Sequence, residues 1–243
     1  MSTDTPRSRA RAQTFAEITR IGREHLASEG AAALSVRAVA RDLGVVSSAI
    51  YRYVRSRDDL LTLLVVDGYD ELGDAVDQGL AEIPVDDHRE RFLTVGRTVR
   101  AWALREPATY ALLFGSPVPG YHAPAEQTTG PGTRVIGALV GIYAAAHEAG
   151  AMGPASPAPS VSQPVSQRLA ADFDAVRAET GADLPDDLVV RGVLAWAALF
   201  GCVSFELFGQ YGPGTFTDPG DLFERQLGVL ADTLGLAPAQ SAR

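Results

Sequence analysis

The chain has 243 residues, 46% of them hydrophobic, with 21 basic and 30 acidic side chains and a net charge of −9. That is enough for a small domain and a larger one, each with its own core. All the basic residues are arginine, and the missing ammonium group excludes a Walker A phosphate loop, a Schiff-base enzyme and a Ser-x-x-Lys nucleophile.

Residues 1–11, with Arg7, Arg9 and Arg11, read as a flexible basic arm, either tracking a nucleic-acid backbone or minor groove or staying a solvated tail. Residues 11–29 then carry Phe15, Ile18, Ile21, Gly22, His25 and Leu26 on one helical face, and Gly30 closes the helix; His25 on that face reads as a core residue. Ser35 is the expected N-cap of a second helix with Val36, Val39, Ala40 and Leu43 inward, and Gly44 supplies the positive φ that ends it. A third helix starts near Ser47. Its inward residues are Ile50 and Val54, which leaves Ser47, Ser48, Ala49, Tyr51, Arg52 and Tyr53 for an outside partner. Small residues at the entry let a helix approach base edges, and Arg and Tyr farther along reach phosphates. Ser56 caps the next helix, with Asp58 and Asp59 in its first turn and Leu60, Leu61, Leu63 and Leu64 following.

Beyond Pro84 the pattern stays helical, and no sheet signal occurs. Asp86 or Asp87 caps a helix that runs to Glu106 with Phe92, Val95, Val99, Trp102 and Ala103 on one face, and residues 107–114 form a short helix. Residues 115–124 read as a rigid loop, 133–149 as an alanine-rich helix, and 151–167, with four prolines and no charge, as a flexible connection. Two helices end the chain, over residues 186–211 and from Pro219 to Gly235. The uncharged apolar run at 192–205 falls short of the ~20 residues of a bilayer span and reads as a buried helix. The single cysteine, Cys202, excludes an internal disulfide and a cysteine-based zinc site, and its apolar setting keeps it a thiol. Four scattered histidines lack metal-ligand spacing, and no signal peptide is legible, so neither metal nor cofactor is expected and the compartment reads as a reducing cytoplasm.

Charge divides the chain in the same way as the pattern does. The first sixty residues hold 10 Arg against 7 acids, and the remaining 183 hold 11 against 23. An acidic body with a basic base orients an encounter with phosphate.

The run Gly44-Val45, Ile50-Tyr51-Arg52-Tyr53-Val54 and Arg57 resembles the N-terminal pattern of the TetR family of one-component bacterial transcriptional regulators, in which Gly-Val precedes a Leu-Tyr-x-His-Phe recognition helix and a Lys. Three positions depart from it: Val46 stands where a Ser or Thr caps the helix, Tyr53 replaces His, and Arg57 replaces Lys. The resemblance implies an all-α fold: a three-helix helix-turn-helix DNA-binding domain at 12–72, with the motif at about 35–54, and a larger helical effector-binding and dimerisation domain at 73–243. It further implies that Ser47, Ser48 and Ala49 face the major groove and that Ser35, Arg37, Tyr51, Tyr53 and Arg57 hold phosphates, with Val46 and Arg52 counted beside them as DNA-binding positions.

Trp196-Ala-Ala-Leu-Phe-Gly201 is similar to the Trp-x-x-x-His-Gly pattern of one C-terminal subclass, with Phe200 for His. In such regulators the last two helices of each subunit build a two-fold four-helix interface, which here would use Val193, Ala197, Phe200, Gly201, Ser204, Phe223, Leu227 and Leu230. Trp102, Tyr110, Phe114, Tyr143 and His147 are the candidate walls of an effector pocket. The expected function is a homodimeric, non-enzymatic repressor in the bacterial cytoplasm, binding a palindromic operator and released by a small molecule. The alternative is a helical small-molecule-binding or protein-interaction protein with a vestigial helix-turn-helix, and binding of purified protein to DNA separates the two.

Overall fold

The computed structural model describes residues 5–153 and 165–237. Among them are ten α-helices and no strand: α1 Pro6–Glu29, α2 Val36–Asp42, α3 Ser47–Ile50, α4 Arg57–Ala81, α5 His88–Arg105, α6 Pro107–Phe114, α7 Ala125–Glu148, α8 Gln167–Thr180, α9 Asp186–Leu207 and α10 Pro219–Leu234. The all-α expectation holds. Local chemistry sets most of the ends. Ser35 accepts from the Ala38 N–H, Ser56 from Asp59 and Asp87 from Glu90, while Gly30, at φ 78°, and Gly44, at φ 72°, take the backbone where a side chain is strained.

Three elements differ from the sequence reading. Thr5 caps a helix that begins at Pro6, so residues 7–11, expected as an arm, are the first turns of α1, with proline in the first turn where its missing N–H costs nothing. Helix α7 starts at Ala125, well before 133; it takes Pro131 into its interior, and the Pro124 carbonyl receives the Gln127 and Thr128 N–H groups at the start. Helix α8, capped by Ser166 and ended by Gly181 at φ 67°, is absent from the sequence reading. Positions 154–164 of the expected flexible connection lie outside the described residues.

The described chain forms two units. The first comprises residues 5–71 and 105–132, so α6 and the loop after it join the N-terminal helices, where the sequence reading assigned everything beyond 72 to the second domain. Its core gathers Ile18, Leu34, Val39, Ile50, Leu60 and Leu64, with Leu112, Val118 and Tyr121 packed against it, and the Tyr121 hydroxyl is 3.1 Å from the Thr62 hydroxyl. Arg23 of α1 ties Asp67 and Glu71 of α4, each at 2.5 Å, and Glu71 also takes Arg105.

The second unit comprises residues 72–104 and 133–237, held around the α9 and α10 pair. Gly96 of α5 lets that pair approach: a Cβ there would lie 2.4 Å from Leu227 and 3.3 Å from Leu199. The Arg100 guanidinium grips Glu206 with two hydrogen bonds of 2.7 and 2.6 Å. At 22 residues α9 is long and apolar enough to cross a bilayer by length and composition, contrary to the count made on the uncharged run. It nevertheless carries Arg191, bonded to Asp187 and to the Thr233 carbonyl, and packs one face on α10.

Candidate functional site

The first candidate surface is built by α2, a glycine turn and α3. The Val45 N–H returns to the Ala40 carbonyl, and the chain re-enters a helix at Ser47, so α3 follows α2 after a tight turn. Ile50 and Val54 are buried as expected, which turns Ser47, Ser48, Tyr51 and Arg52 outward, with Ala49 half-buried. Val46 is 72% exposed and gives α3 no side-chain cap; its carbonyl accepts the Ala49 N–H at 2.8 Å. Small side chains at the head of a short exposed helix can lie close to the floor of a groove.

Around this helix the cations have different duties. The guanidinium groups of Arg37 and Arg52 are exposed and carry no ion pair or hydrogen bond among the described residues, so they are available to phosphate. Ser35 spends its hydroxyl on the cap of α2. Two residues assigned to the DNA backbone are used within the unit. Arg57 donates to the Ala31 carbonyl at 2.9 Å and to Ala32 at 3.3 Å, which fastens the short 3-10 turn at Ala31–Ala33 to the start of α4. Tyr53 packs edge-on against Phe15 at 5.3 Å, with the Arg11 guanidinium 5.4 and 5.9 Å from the two rings.

The sequence reading missed a bond that holds this surface in place. His25, buried in α1, has Nε2 2.7 Å from an Asp42 carboxylate oxygen at the end of α2. The hydrogen bond from His25, and then that from Arg41, hold the Asp42 carboxyl below its ordinary pKa. Asp42 lies seventeen residues from His25, and no local pattern announces the pair.

The second candidate site is a cleft of about 710 Å³ in the second unit, walled by α7, α8 and α9. Its floor is apolar, with Leu139, Val140, Val189 and Val193, and Tyr143 and Trp196 add aromatic faces. Gly192 gives Tyr143 its room here, because a Cβ would fall 2.5 Å from the Tyr143 hydroxyl and the ring would have to shift; burial pushes that phenol's pKa up. Of the five expected pocket residues, Tyr143 lines this cleft. Trp102 is fully buried in the second unit with its indole N–H unpartnered among the described residues, and His147 is exposed on α7; neither lines it. Tyr110 and Phe114 belong to the first unit, their rings 5.0 Å apart, with Phe114 edge-on to Tyr69.

Helix α9 presents three faces. Leu188, Ala195, Leu199 and Val203 are buried in the unit, Val189, Val193 and Trp196 face the cleft, and Val190, Leu194, Ala197, Gly201, Phe205 and Phe208 make an outward stripe with Ser204 at its margin. Phe223, Leu227 and Leu230 of α10, expected at a subunit interface, are 2, 0 and 9% exposed and belong to the unit's own core, because α10 turns its most apolar face onto α5 and α9. Phe200 stacks edge-on with Trp196 beside the cleft.

Residues 18–64 match the profile of bacterial regulatory proteins of the tetR family, and residues 92–230 match that of the tetracyclin repressor-like C-terminal domain. The chain is 45% identical over 225 residues to the HTH-type transcriptional regulators Mb1846 of Mycobacterium bovis and Rv1816 of Mycobacterium tuberculosis, covering 93% of this chain and 94% of each of those. Among solved structures, the regulatory protein SCO4313 superposes with a TM-score of 0.72 at 32% identity, over 93% of this chain and 98% of that one. A Rhodococcus sp. RHA1 protein of unknown function shares the fold, with a TM-score of 0.63 at 22% identity over 93% of this chain and 95% of that one.

Proposed function

The chain belongs to the TetR family of DNA-binding transcriptional regulators, and on that premise we propose that it is a homodimeric repressor that grips a palindromic operator and lets go when a small molecule fills the cleft walled by α7, α8 and α9. The observation that carries the reading is the head of α3. Val46, Ser47 and Ser48 stand exposed there, and the Arg37 and Arg52 guanidinium groups have no partner among the described residues. Groove-facing small side chains select the base sequence, and the arginines neutralise phosphates.

Dimerisation is assigned to the outward stripe of α9, with Val229, 63% exposed, as the contribution of α10. Gly201 suits a close crossing, since a Cβ there meets nothing within 4 Å in the subunit. Two copies are needed because one helix-turn-helix reads too few base pairs; half-sites lie ~34 to 36 Å apart. Helices α4 and α7 each contribute residues to both units, and they are the routes by which occupancy of the cleft would shift the spacing of the recognition helices. A coupling of about 1 to 3 kcal/mol weakens operator binding ~5 to 150-fold. The protein acts in the cytoplasm through occupancy and does no chemistry on its ligand.

Selection of bound sequences from random DNA with purified protein tests the reading. The expected result is one enriched palindrome, bound with a steep loss of affinity as salt rises. Recovery of no sequence above background at moderate salt would leave a vestigial helix-turn-helix and overturn it.

A further inference from the structure

We infer that the cleft of the second unit selects an elongated organic cation, an apolar chain or ring system that ends in an ammonium or similar group. The inference rests on the reading of this cleft as the effector site and names the chemistry of its occupant. Its shape comes from α7, whose lining residues run from Thr133 to Glu148. Fifteen helical steps of ~1.5 Å make a wall of roughly 22 Å, the length of an extended amphiphile. Along that wall the surface is hydrocarbon and aromatic.

The charged side chains of the lining lie toward one end and have one sign: Met152 beyond α7 pairs with Leu236, and Arg191 near the start of α9 bonds the Thr233 carbonyl, which brings the end of α7 beside the start of α9, the helix that directly follows α8. Glu148 is the last residue of α7, and Glu179 and Thr180 are the last two of α8. All three line the cleft. Helix C-termini carry partial negative charge, so two helix ends and two carboxylates act together on what enters there. Neither Glu148 nor Glu179 has an ion-pair or hydrogen-bond partner among the described residues. Among the described residues, no arginine or histidine lines the cleft. The arginines of these helices are committed elsewhere: Arg134 to Asp74 and Asp77, Arg177 to Asp174 and Asp186, and Arg191 to Asp187. Arg168 sits at the opposite end of α8 from Glu179, eleven residues away. An anion entering this end would meet two uncompensated carboxylates. A cation would meet them in a cleft also lined by the rings of Tyr143 and Trp196, the residue types whose quadrupoles attract positive charge. The carboxylates are exposed, so each contributes modestly, and together with the rings they favour a cation by about tenfold over a neutral analogue.

The test titrates the purified full-length protein with decyltrimethylammonium, decanol and decanoate, all below micellar concentrations, and follows tryptophan fluorescence and heat of binding. The cation should bind about tenfold tighter than decanol, and decanoate weakest, with the cation's advantage shrinking as salt rises. Glu148→Gln with Glu179→Gln should remove the advantage and leave decanol affinity unchanged. Gly141→Trp should block all three probes: Gly141 lines the cleft, and its Cβ would meet nothing within 4 Å, so the ring enters open space and not the core. Because that variant could also fail to fold, Gly137→Trp, at an equivalent open position, is measured beside it with melting curves. Decanol binding that equals the cation's and is lost in the filled variants would overturn the choice of ligand class while leaving the cleft as the site. Failure of all three probes, or binding untouched by cleft filling in folded variants, would overturn the effector reading itself.

Discussion

Arg57 separates a residue that holds DNA from one that holds the fold. Sequence resemblance puts it on phosphate, whereas its guanidinium donates to the carbonyls of Ala31 and Ala32, closing a loop of 25 to 26 residues. Hydrogen bonds from a charged donor contribute about 1.5 to 3 kcal/mol when sheltered. The side chain here is 32% exposed, so solvent brings the value to the lower end of that range or just below it, about 1 to 2 kcal/mol for Arg57→Ala. Spread over a chain of this size, that lowers the melting temperature by roughly 2 to 8 °C. Arg37→Ala is the control, since Arg37 has no described partner to lose. It should melt as the parent does, weaken binding to all sequences alike, and reduce the slope of log affinity against log salt by about 0.9. Arg57→Ala should melt earlier and keep most of the salt slope of the fraction that remains folded. Unchanged melting for Arg57→Ala, together with a slope lowered by one phosphate, would refute the assignment.

Gly201→Arg should leave a folded subunit that sediments as a monomer and loses the operator, whereas Leu227→Ala should cost about 2 to 5 kcal/mol of stability by opening a cavity in the core; sedimentation and melting together distinguish the two. Val46→Ser should supply the missing cap of α3 and stabilise it by about 1 kcal/mol, while changing the sequence recovered by selection because an exposed isopropyl group becomes a hydroxyl. Burial pushes the Glu71 carboxyl up, but hydrogen bonds and charge from Arg23 and Arg105 outweigh it, leaving the folded pKa below the ordinary value. The group therefore stabilises the fold above its unfolded pKa and loses that contribution as pH falls through the folded one. Glu71→Gln should lower stability near neutral pH and flatten its decline below about pH 4.5, as measured by urea melts across the acid range.

The helix-turn-helix was legible because its information is local. A cap is written three residues from the N–H it serves, as in Ser35 and Ala38, and a helix end is written in one glycine, as in Gly30 and Gly44. The same locality misleads at both edges of the reading. Arginine repeats suggested an arm where a Thr5 cap and Pro6 start a helix, and the helix read from 133 in fact begins at Ala125 and runs through Pro131. Proline forbids its own N–H bond but does not forbid the neighbouring turns.

The helical periods by themselves set the all-helical class, and the family resemblance carried by the Gly-Val and Ile-Tyr-x-Tyr-Val residues implied a regulator with a DNA-reading motif near its start. Tertiary structure decided what each helix face does. A helix as apolar as α9 has no periodicity that tells core from cleft from partner surface, and the three faces become distinct when α10 covers one and α7 and α8 leave a gap beside another. Leu227 and Gly201 look alike as interface candidates along the chain, yet one fills the space above Gly96 and the other faces outward. Arg57 and Tyr53 likewise acquire their duties from Ala31 and Phe15, which lie 26 and 38 residues away. Partners at that separation are set by the packing of whole helices, and no pattern within one helix encodes them.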